Sequence, residues 1–542
     1  MDAITAVPLP KNEPVYSYAP GTKERADLQA ALDCAYNCAP IELTGTFGAQ
    51  RRPGSGHELK VTMPSEHAHI LGTVHQATAA DTTAAVNAAL AAAPDWANTP
   101  YDDRAAIFLR AAELITGPYR AKINAATMLG QAKTPQQAEI DSACELADFL
   151  RFNSAYARQI YADQPENSAT VWNRLDYRPL DGFVYAITPF NFTAIAGNLP
   201  AAPALMGNVV IWKPALTQQF AASVVADIFI EAGLPAGVIN MLPGHGAEVS
   251  EVALAHEALA GIHFTGSTRV FQNIWGEIGA NIHRYRSYPR LVGETGGKDF
   301  VVAHSSADPK ALVTALVRGS FEYSGQKCSA SSRSYIPKSV WGVIKDDLIA
   351  ATEGLAVGDV RDFKNFTSAL IDNRAYAKLS AAIEKAKSEP DTQIIAGGTY
   401  DDSVGWYVRP TLVTSTNLAN DIFTTEFFGP LLGVYVYEDS QYEDIIRHID
   451  STSRYALTGS IIANDRSAIK TAEIGLRNAA GNFYINDKST GAVVGQQPFG
   501  GGRASGTNDK AGSVWNLIRW VSPRSIKEAL LPPKTVDYPH MA

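Results

Sequence analysis

One cysteine, Cys328, lies in a stretch of small and polar residues, "EYSGQKCSASSR" (322–333). A thiol reacts as a thiolate, which needs an accessible polar setting and is suppressed by apolar burial. The other three cysteines have structural explanations. Cys144 lies in the helical pattern "EIDSACELADFL", which predicts a core position, and Cys34 and Cys38 could share a helix face without a nearby histidine to complete a metal site. Cys328 is therefore the candidate nucleophile, and we expect no metal.

Three further stretches contain groups that could assist a nucleophile: "TPFNFT" (188–193), "FTGS" (264–267) and "LVGETGGKD" (291–299). Glu294 could act as a base, yet a glutamate between glycines is also typical of a plain turn. Asn191 follows Pro189 closely and equally suits a turn. Taken from residue types alone, both alternatives stay open.

The elements that must position these groups follow an alternating pattern between residues 182 and 300. Short apolar runs such as "GFVYAIT", "NVVIWKP" and "GIHFTGS" alternate with helical patterns, one of which we expect Thr217 to cap and Gly233 to end. Strand–helix–strand repetition predicts a parallel sheet with right-handed crossovers. A second α/β pattern follows Cys328. The fold class is therefore α/β.

The carboxyl edge of such a sheet is where ligands bind. Lys213 ends the strand "NVVIWKP" at this edge, although it could also be an ordinary surface lysine. Gly266 and Ser267 end another strand, and a helix is predicted from about Thr268. Backbone N–H groups at a helix start favour a pyrophosphate, but the GxGxxG fingerprint is absent and an ordinary turn would look the same.

Composition excludes several classes of function. The chain has 542 residues, 46% hydrophobic, with a net charge of −9. An acidic surface repels phosphate backbones, so no nucleic-acid partner is expected. No apolar run approaches the ~18 residues of a membrane span. The first 20 residues lack the character of a secretory signal or an Arg-rich transit peptide, so a cytoplasmic location is expected.

The segments "TPFNFT", "FTGS", "LVGETGGKD" and "GQKCSA" together resemble the NAD(P)-dependent aldehyde dehydrogenase superfamily, in its order and spacing. "EFFGPLLGV" (426–434) and "QQPFGG" resemble later family segments, and the similarity spans roughly residues 60–525. The resemblance implies a Rossmann-like dinucleotide domain, an α/β catalytic domain and a β-flap used in oligomerisation. The implied divisions are 1–55 as an N-terminal extension, 56–302 as the NAD-binding domain with flap 168–182, 303–500 as the catalytic domain, and 501–542 as a returning C-terminal tail.

The resemblance also implies catalytic roles. Cys328 would add to an aldehyde, forming a thiohemiacetal whose oxyanion accepts from the Asn191 amide and the Cys328 backbone N–H. Collapse would transfer hydride to the cofactor and leave a thioester. Glu294 would then activate the water that hydrolyses it.

The same resemblance implies NAD as cofactor. Lys213 would contact the adenosine ribose, and the other implied contacts are Thr188, Pro189, Gly266, Ser267, Thr268, Arg269, Val270, Glu426 and Phe428. Many NAD-preferring members carry an acid three positions after the lysine, where this chain has Leu216. That difference leaves the choice between NAD and NADP open.

Within the family, the segments "GFVYAITPFNFTAIAGNLPAAPALMGNVVIWKP", "FEYSGQKCSA" and "INDKSTGAVVGQQPFGG" resemble members that oxidise L-glutamate γ-semialdehyde to glutamate, the second step of proline catabolism. The resemblance implies that Ser329, Gly491 and Ala492 bind the substrate α-carboxylate. Glu145 would lie near the α-amino group, Phe192 and Phe499 would enclose the aliphatic chain, and Lys327 would add positive potential. Without the resemblance, Gly491–Ala492 is a plain loop and Glu145 a solvated glutamate.

Three alternatives remain: a dehydrogenase for another short acidic semialdehyde such as succinate semialdehyde, a CoA-acylating relative, and a catalytically silent protein on the same scaffold. Glu294 disfavours the second, and the joint presence of Cys328, Glu294 and Asn191 disfavours the third.

The resemblance further implies a homo-oligomer, a dimer or an assembly of dimers. The alternation in "TVWNRLDYRPLDG" (170–182) predicts a β-hairpin flap, and "RWVSPRSIKEALL" fits the C-terminal tail that members of the family use, with the flap, at a domain-swapped dimer. Because the 55 leading residues are too few for another catalytic domain, we expect a monofunctional enzyme, compatible with functional coupling to a separate proline dehydrogenase.

Overall fold

A computed structural model describes residues 5–541 of the chain. Its α-helices are α1 (Lys23–Asn37), α2 (Ala79–Asn98), α3 (Tyr101–Thr116), α4 (Arg120–Gln131), α5 (Pro135–Ala138), α6 (Leu146–Ala162), α7 (Thr193–Leu205), α8 (Gln219–Glu231), α9 (Gly246–Ala255), α10 (Thr268–Ala280), α11 (Pro309–Phe321), α12 (Lys338–Glu353), α13 (Asn373–Ser388), α14 (Tyr442–Thr452), α15 (Arg466–Gly475) and α16 (Val514–Leu517). A π-helical turn, Glu139–Glu145, joins α5 to α6.

The strands are β1 (Ile41–Leu43), β2 (Gly45–Phe47), β3 (Gln50–Arg52), β4 (Glu58–Met63), β5 (Glu66–His75), β6 (Val171–Pro179), β7 (Phe183–Thr188), β8 (Val209–Pro214), β9 (Ile239–Met241), β10 (Leu259–Thr265), β11 (Arg290–Glu294), β12 (Asp299–Ala303), β13 (Ser331–Pro337), β14 (Thr392–Ala396), β15 (Tyr400–Asp401), β16 (Tyr407–Val408), β17 (Thr411–Ser415), β18 (Leu431–Tyr437), β19 (Tyr455–Ala456), β20 (Thr458–Ile462), β21 (Asn482–Ile485), β22 (Gly502–Arg503) and β23 (Val521–Ala529).

The predicted alternating region forms a five-stranded sheet in the order β11-β10-β7-β8-β9. All of its pairings are parallel. Strands β7 and β8 are almost wholly buried, as near-continuous apolar runs require when helices cover both faces of a sheet. The predicted α/β class is confirmed.

One helix boundary in this region differs from its prediction. A 3-10 turn, Leu216–Gln218, precedes α8, so Gln218 rather than Thr217 occupies the cap position. The predicted end is confirmed, because α8 stops at Glu231 and Gly233 adopts a left-handed φ of 98°. Glycine adopts this conformation without the steric cost that a Cβ imposes.

A seven-stranded sheet has the order β14-β17-β18-β13-β12-β20-β21 and is parallel except for β14. The two large sheets are joined by a very short connection. Strand β11 of the first sheet ends at Glu294, and β12 of the second begins at Asp299. Cys328 lies just before β13, the neighbour of β12. The short connection therefore brings the "GETGGKD" segment to the junction that also receives the nucleophile.

The leading residues pack against the body of the protein. Strand β1 pairs in parallel with β5, and Leu28 and Leu32 of α1 are buried. Cys144 is also buried, as its helical surroundings predicted. The expected division points between domains stay predictions.

The flap has a different structure from the predicted hairpin. Strand β6 does not fold back on the following residues but pairs antiparallel with β23, from Val171 opposite Ala529 to Pro179 opposite Val521. The alternation in this segment does correspond to a strand, β6. Its partner lies more than 340 residues away, because the exposed edge of a strand can pair with any segment that the fold brings alongside.

Among residues 5–541, no helix is both long enough and apolar enough to cross a membrane.

Candidate active site

The backbone before Cys328 is held in an uncommon conformation. Tyr323 and Ser324 have positive φ values of 54° and 51°, which cost free energy in residues with a Cβ. Hydrogen bonds hold Ser324 in place: its N–H donates to Thr367 Oγ1 at 2.7 Å, and its Oγ donates to the Ser368 carbonyl at 2.5 Å. Such a strained turn fixes where the next residues, including Cys328, emerge.

Cys328 itself is half-buried. Burial raises the pKa of this thiol well above its usual range, and the carboxyl groups of Asp299, Glu294 and Glu426 raise it further. A base or a bound ligand must therefore assist its deprotonation.

Asn191 reaches the loop of the nucleophile. Its Nδ2 donates to the carbonyl of Gln326, two residues before Cys328, at 3.0 Å. The side-chain amide has two N–H groups, so one is available to a second acceptor beside the cysteine. This position suits an oxyanion donor.

The segment that carries Asn191 is held by a residue absent from the sequence predictions, Asp141. Its carboxylate accepts from the N–H groups of Thr193 at 2.9 Å and Ala194 at 2.8 Å, at the start of α7. Lys133 pairs with the same carboxylate at 2.7 Å, and both side chains are buried. The ammonium of Lys133 also lies 3.8 Å from the centre of the Phe192 ring. Asp141 precedes Thr193, the first residue of α7, by 52 residues, so no local pattern connects the two.

Glu294 is hydrogen-bonded to two separate segments of the chain, one at Gly266 and one at Gly501. Its Oε2 accepts from the Gly501 N–H at 3.1 Å, and its backbone carbonyl accepts from the Gly266 N–H at 3.2 Å. Burial raises the pKa of the Glu294 carboxyl well above its usual range, while the Gly501 N–H and Lys510 oppose the rise. A carboxyl with a raised pKa near a nucleophile is suited to accept a proton.

The glycines around Glu294 serve close packing. A Cβ on Gly297 would lie 2.3 Å from the carbonyl oxygen of Cys328, and one on Gly296 would lie 2.3 Å from Glu426 Oε2. The Gly297 N–H also donates to Glu426 Oε1 at 2.9 Å. The "TGG" sequence thus permits the nucleophile loop and Glu426 to approach this backbone directly.

Phe428, expected beside the cofactor, has a positive φ of 60°. Its ring meets the edge of Phe190 with the ring centres 5.9 Å apart. The aromatic residue that contacts Phe428 is therefore Phe190, whereas Phe192 lies under Lys133.

The expected dinucleotide contacts lie at the carboxyl edge of the five-stranded sheet. Ser267 caps α10, accepting from the Val270 N–H at 3.4 Å, and Arg269 and Val270 are exposed on the first turn. Thr268 faces inward, where its Oγ1 donates to Thr295 and accepts from the Gly296 N–H. Thr188 ends the neighbouring strand β7 and Pro189 follows it, and Thr188 Oγ1 accepts from the Trp212 indole at 3.0 Å.

Lys213 provides a test of whether this edge suits a dinucleotide. Its ammonium is buried and donates to the carbonyl of Pro214, the next residue. Burial lowers the pKa of Lys213 to about 7. A buried ammonium has three donors, so two remain for hydroxyl groups such as those of a ribose. The residues present fit the expected cofactor.

At the other side of Cys328, the expected substrate residues form hydrogen-bonded pairs. Ser329 Oγ lies 2.7 Å from Thr490 Oγ1, next to Gly491, and its carbonyl accepts from Ser489 Oγ at 3.0 Å. Gly491 has a φ of 105°, which favours glycine. These contacts place the Gly491–Ala492 loop beside the nucleophile segment.

The charged residues here are coupled to one another. Lys327 pairs with Glu322 at 2.9 Å, and Glu322 pairs with Lys488 at 3.0 Å.

Burial raises the pKa of Glu145 to about 8, and Asp141 raises it while Lys133 lowers it. Phe499 forms a backbone bridge to Ala511. The roles expected for these residues stay predictions.

Within residues 5–541, no group of three or more His, Cys, Asp or Glu side chains could hold a metal ion.

The candidate groups Cys328, Asn191 and Glu294 lie at the junction of the two large sheets. The chain belongs to the aldehyde dehydrogenase family, whose family model matches residues 52–526. It is 49% identical over 539 residues to the delta-1-pyrroline-5-carboxylate dehydrogenase, mitochondrial, of Dictyostelium discoideum, covering 99% of this chain and 96% of that protein.

Two solved structures are also similar. The delta-pyrroline-5-carboxylate dehydrogenase of Mycobacterium tuberculosis bound with NAD has a TM-score of 0.97 and 58% identity, covering all of both chains. Proline utilization A of Bdellovibrio bacteriovorus has a TM-score of 0.92 and 28% identity, covering 97% of this chain and 54% of that one.

Proposed function

We propose that this protein oxidises L-glutamate γ-semialdehyde, formed from delta-1-pyrroline-5-carboxylate, to L-glutamate with NAD as the hydride acceptor, the second step of proline catabolism. The observation that carries the proposal is the contact between Ser329 and Thr490. It joins the residue after the nucleophile to a loop whose Gly491 and Ala492 N–H groups can bind a carboxylate. A substrate with an aldehyde at one end and a carboxylate at the other would reach from the Cys328 sulfur to the N–H groups of this loop.

The chain's own residues account for the chemistry. The Cys328 sulfur bonds to the aldehyde carbon, and the thiol proton leaves to a base. The second N–H of Asn191 and the backbone N–H of Cys328 donate to the resulting oxyanion, stabilising charge that develops in the transition state. NAD, when bound, accepts the hydride that leaves this carbon, so that a thioester remains on Cys328.

Glu294 completes the reaction. Its carboxylate takes a proton from water, the resulting hydroxide adds to the thioester carbon, and the Cys328 thiol is released with the carboxylic acid product. The Gly501 N–H holds this carboxylate in place between turnovers. Because burial raises the pKa of the Glu294 carboxyl, its carboxylate is a stronger base than that of an exposed glutamate.

The proposed cofactor contacts lie at the carboxyl edge of the five-stranded sheet. Lys213 would bind ribose hydroxyls, and the backbone at Gly266 and Ser267 would face the pyrophosphate at the start of α10. Glu426, held by the Gly297 N–H, would bind the nicotinamide ribose. The absence of an acid at Leu216 predicts some tolerance of a 2′-phosphate.

A steady-state comparison of substrates tests the proposal. We expect kcat/KM for glutamate semialdehyde to exceed that for propanal by about 10-fold or more, because carboxylate hydrogen bonds contribute ~1.5–3 kcal/mol each. It should also exceed kcat/KM for succinate semialdehyde, whose chain is one carbon shorter and which lacks the α-ammonium group. NAD and NADP are compared with the same aldehyde. Equal or higher activity with succinate semialdehyde would instead favour the alternative acidic semialdehyde.

The oligomeric state and a partner enzyme are part of the same proposal. A homodimer, or an assembly of dimers, is supported by the two-stranded β6–β23 ribbon, where Trp172 is exposed, and by Leu530, which is exposed directly after β23. Coupling to a separate proline dehydrogenase is supported by proline utilization A, of which the matching part is about half. Sedimentation of the protein alone and with such an enzyme would test both, and a monomer would contradict the first.

We also propose a cytoplasmic location. The four cysteines are unpaired thiols, consistent with a reducing compartment. Cell fractionation tests this proposal, and recovery in another compartment would contradict it.

A further inference from the structure

Residues 12–16, called here the N-terminal strap, cross the substrate side of the site. Asn12 makes three hydrogen bonds there. Its Nδ2 donates to Asp148 Oδ2 of α6 at 2.8 Å and to the Val494 carbonyl at 2.7 Å, and its Oδ1 accepts from Gln496 Nε2 at 2.9 Å. Both amide hydrogens thus meet acceptors, which a side chain without an NH₂ group cannot provide.

These contacts join two walls of the substrate site. Asp148 lies one helical turn after Glu145, and Val494 and Gln496 belong to the loop that begins at Gly491. The two walls also touch directly. A Cβ on Gly495 would lie 2.1 Å from the Phe152 ring of α6, so the loop rests closely on this helix. Asn12 closes the edge of that contact.

The strap is firmly attached to the rest of the protein. Glu13 pairs with Arg120 at 2.6 Å and with Arg151 at 2.7 Å, and its N–H donates to Asp148 Oδ1 at 2.8 Å. The Arg120 guanidinium lies 3.6 Å from the centre of the Tyr16 ring. Asp148 is 3% exposed, so the strap supplies two donors that a buried carboxylate requires.

We propose that Asn12 is a positioning residue for substrate specificity: through the strap, it holds the 491–497 loop against α6, so that the Gly491 and Ala492 N–H groups meet the substrate carboxylate at a set distance from Cys328. The inference rests on the proposed function, in which this loop binds the carboxylate. The strap touches neither Cys328 nor the reacting atoms, so its effect is on substrate binding.

The test uses the full-length enzyme with Asn12→Ala, Gln496→Ala and the double variant. Lys11→Ala, at an exposed neighbouring position, is the matched control. Kinetics are measured with glutamate semialdehyde and with propanal, which has no carboxylate. Because Asn12→Ala leaves the Glu13 ion pairs intact, we expect a folded protein, and thermal unfolding of each variant is recorded.

For Asn12→Ala we expect KM for glutamate semialdehyde to rise about 5-fold or more, with kcat within about 2-fold and propanal kinetics unchanged, as loss of loop-positioning hydrogen bonds requires. Gln496→Ala should act in the same direction, and the double variant should fall short of the product of the two effects because they share one contact. A general structural defect would instead lower kcat with both substrates.

An unchanged KM in Asn12→Ala, or equal losses with both aldehydes, would overturn the inference while the wild-type preference for glutamate semialdehyde stands. A wild-type enzyme without that preference would overturn the proposed function, and the inference with it.

Discussion

The two ends of the active site are built in different ways. At the dinucleotide end, the contacts around Lys213 and Ser267 lie within single strand–turn–helix units: Lys213 bonds to the adjacent Pro214, and Ser267 to Val270 three residues on. At the substrate end, Ser329 meets Thr490, 161 positions away, and Asn12 meets Val494, 482 positions away.

This difference has a physical consequence. Local contacts form wherever the strand and helix form, so the part of the dinucleotide end around Lys213 and Ser267 is nearly complete as a secondary-structure unit, whereas Glu426 is held by Gly297, 129 positions away. The substrate end exists only after distant segments have packed together. We therefore expect changes at the dinucleotide end to affect one ligand, and changes at the substrate end to spread through shared contacts.

The largest effect is expected from removing the proposed nucleophile, which should abolish the chemistry without weakening cofactor binding. Cys328→Ala should reduce aldehyde oxidation to less than about 1% of wild type, because covalent catalysis is lost. Binding of NAD, measured by calorimetry, should stay close to wild type, since the thiol acts on the aldehyde. Substantial residual turnover would contradict the nucleophile assignment.

The Glu294→Gln variant should carry out hydride transfer but be slow in the hydrolysis that follows it. Hydride transfer precedes hydrolysis, so rapid mixing should show a burst of NADH followed by turnover reduced about 10²–10⁴-fold as loss of a general base predicts. Mass spectrometry should detect the acyl group on Cys328. Absence of the burst would place Glu294 in activation of the thiol.

The pH dependence of turnover should follow the protonation of Glu294. The base form of Glu294 increases as pH rises through its raised pKa, so wild-type turnover should rise over a range above that of an ordinary glutamate. The Glu294→Gln variant should lose this ascending limb, while its NADH burst persists.

Ser329→Ala tests the substrate end. We expect KM for glutamate semialdehyde to rise about 10-fold from loss of a charge-assisted hydrogen bond, with little change for propanal. Comparing two substrates cancels general damage to the neighbouring Cys328. Equal losses on both would show that Ser329 supports the nucleophile.

Lys213→Met tests the dinucleotide end with a side chain of similar length. KM for NAD should rise about 5–10-fold, because one or two hydrogen bonds to ribose are lost. KM for the aldehyde should remain within about 2-fold, since the contacts are local. A comparable rise in the aldehyde KM would break the contrast between the two ends.

Glu145 should give the smallest effect, which depends on pH. Its pKa is raised to about 8, so it is mostly neutral at pH 7 and ionised above pH 8. If it faces the substrate ammonium, the ratio of wild-type KM to Glu145→Gln KM should fall by about threefold between pH 6.5 and 9, in line with a modest charge interaction. A ratio independent of pH would place Glu145 away from the ammonium.

The sequence by itself determined the local units and the chemical groups. Apolar periodicity predicted strands β7, β8 and β10 with their helices, and the surroundings of Cys328 identified a candidate nucleophile, because these signals are contained within about 30 neighbouring residues. The resemblance in the motifs then linked Cys328, Asn191 and Glu294 to one family.

Only the tertiary structure decided which distant residues support those groups. Asp141 holds the start of α7, Thr490 pairs with Ser329, Asn12 reaches the 491–497 loop, and β23 rather than a hairpin return pairs with β6. A polar side chain or an open strand edge is compatible with many partners in the sequence. The choice among them is made when the sheets and helices pack, since burial then requires each polar group to find a hydrogen-bond partner.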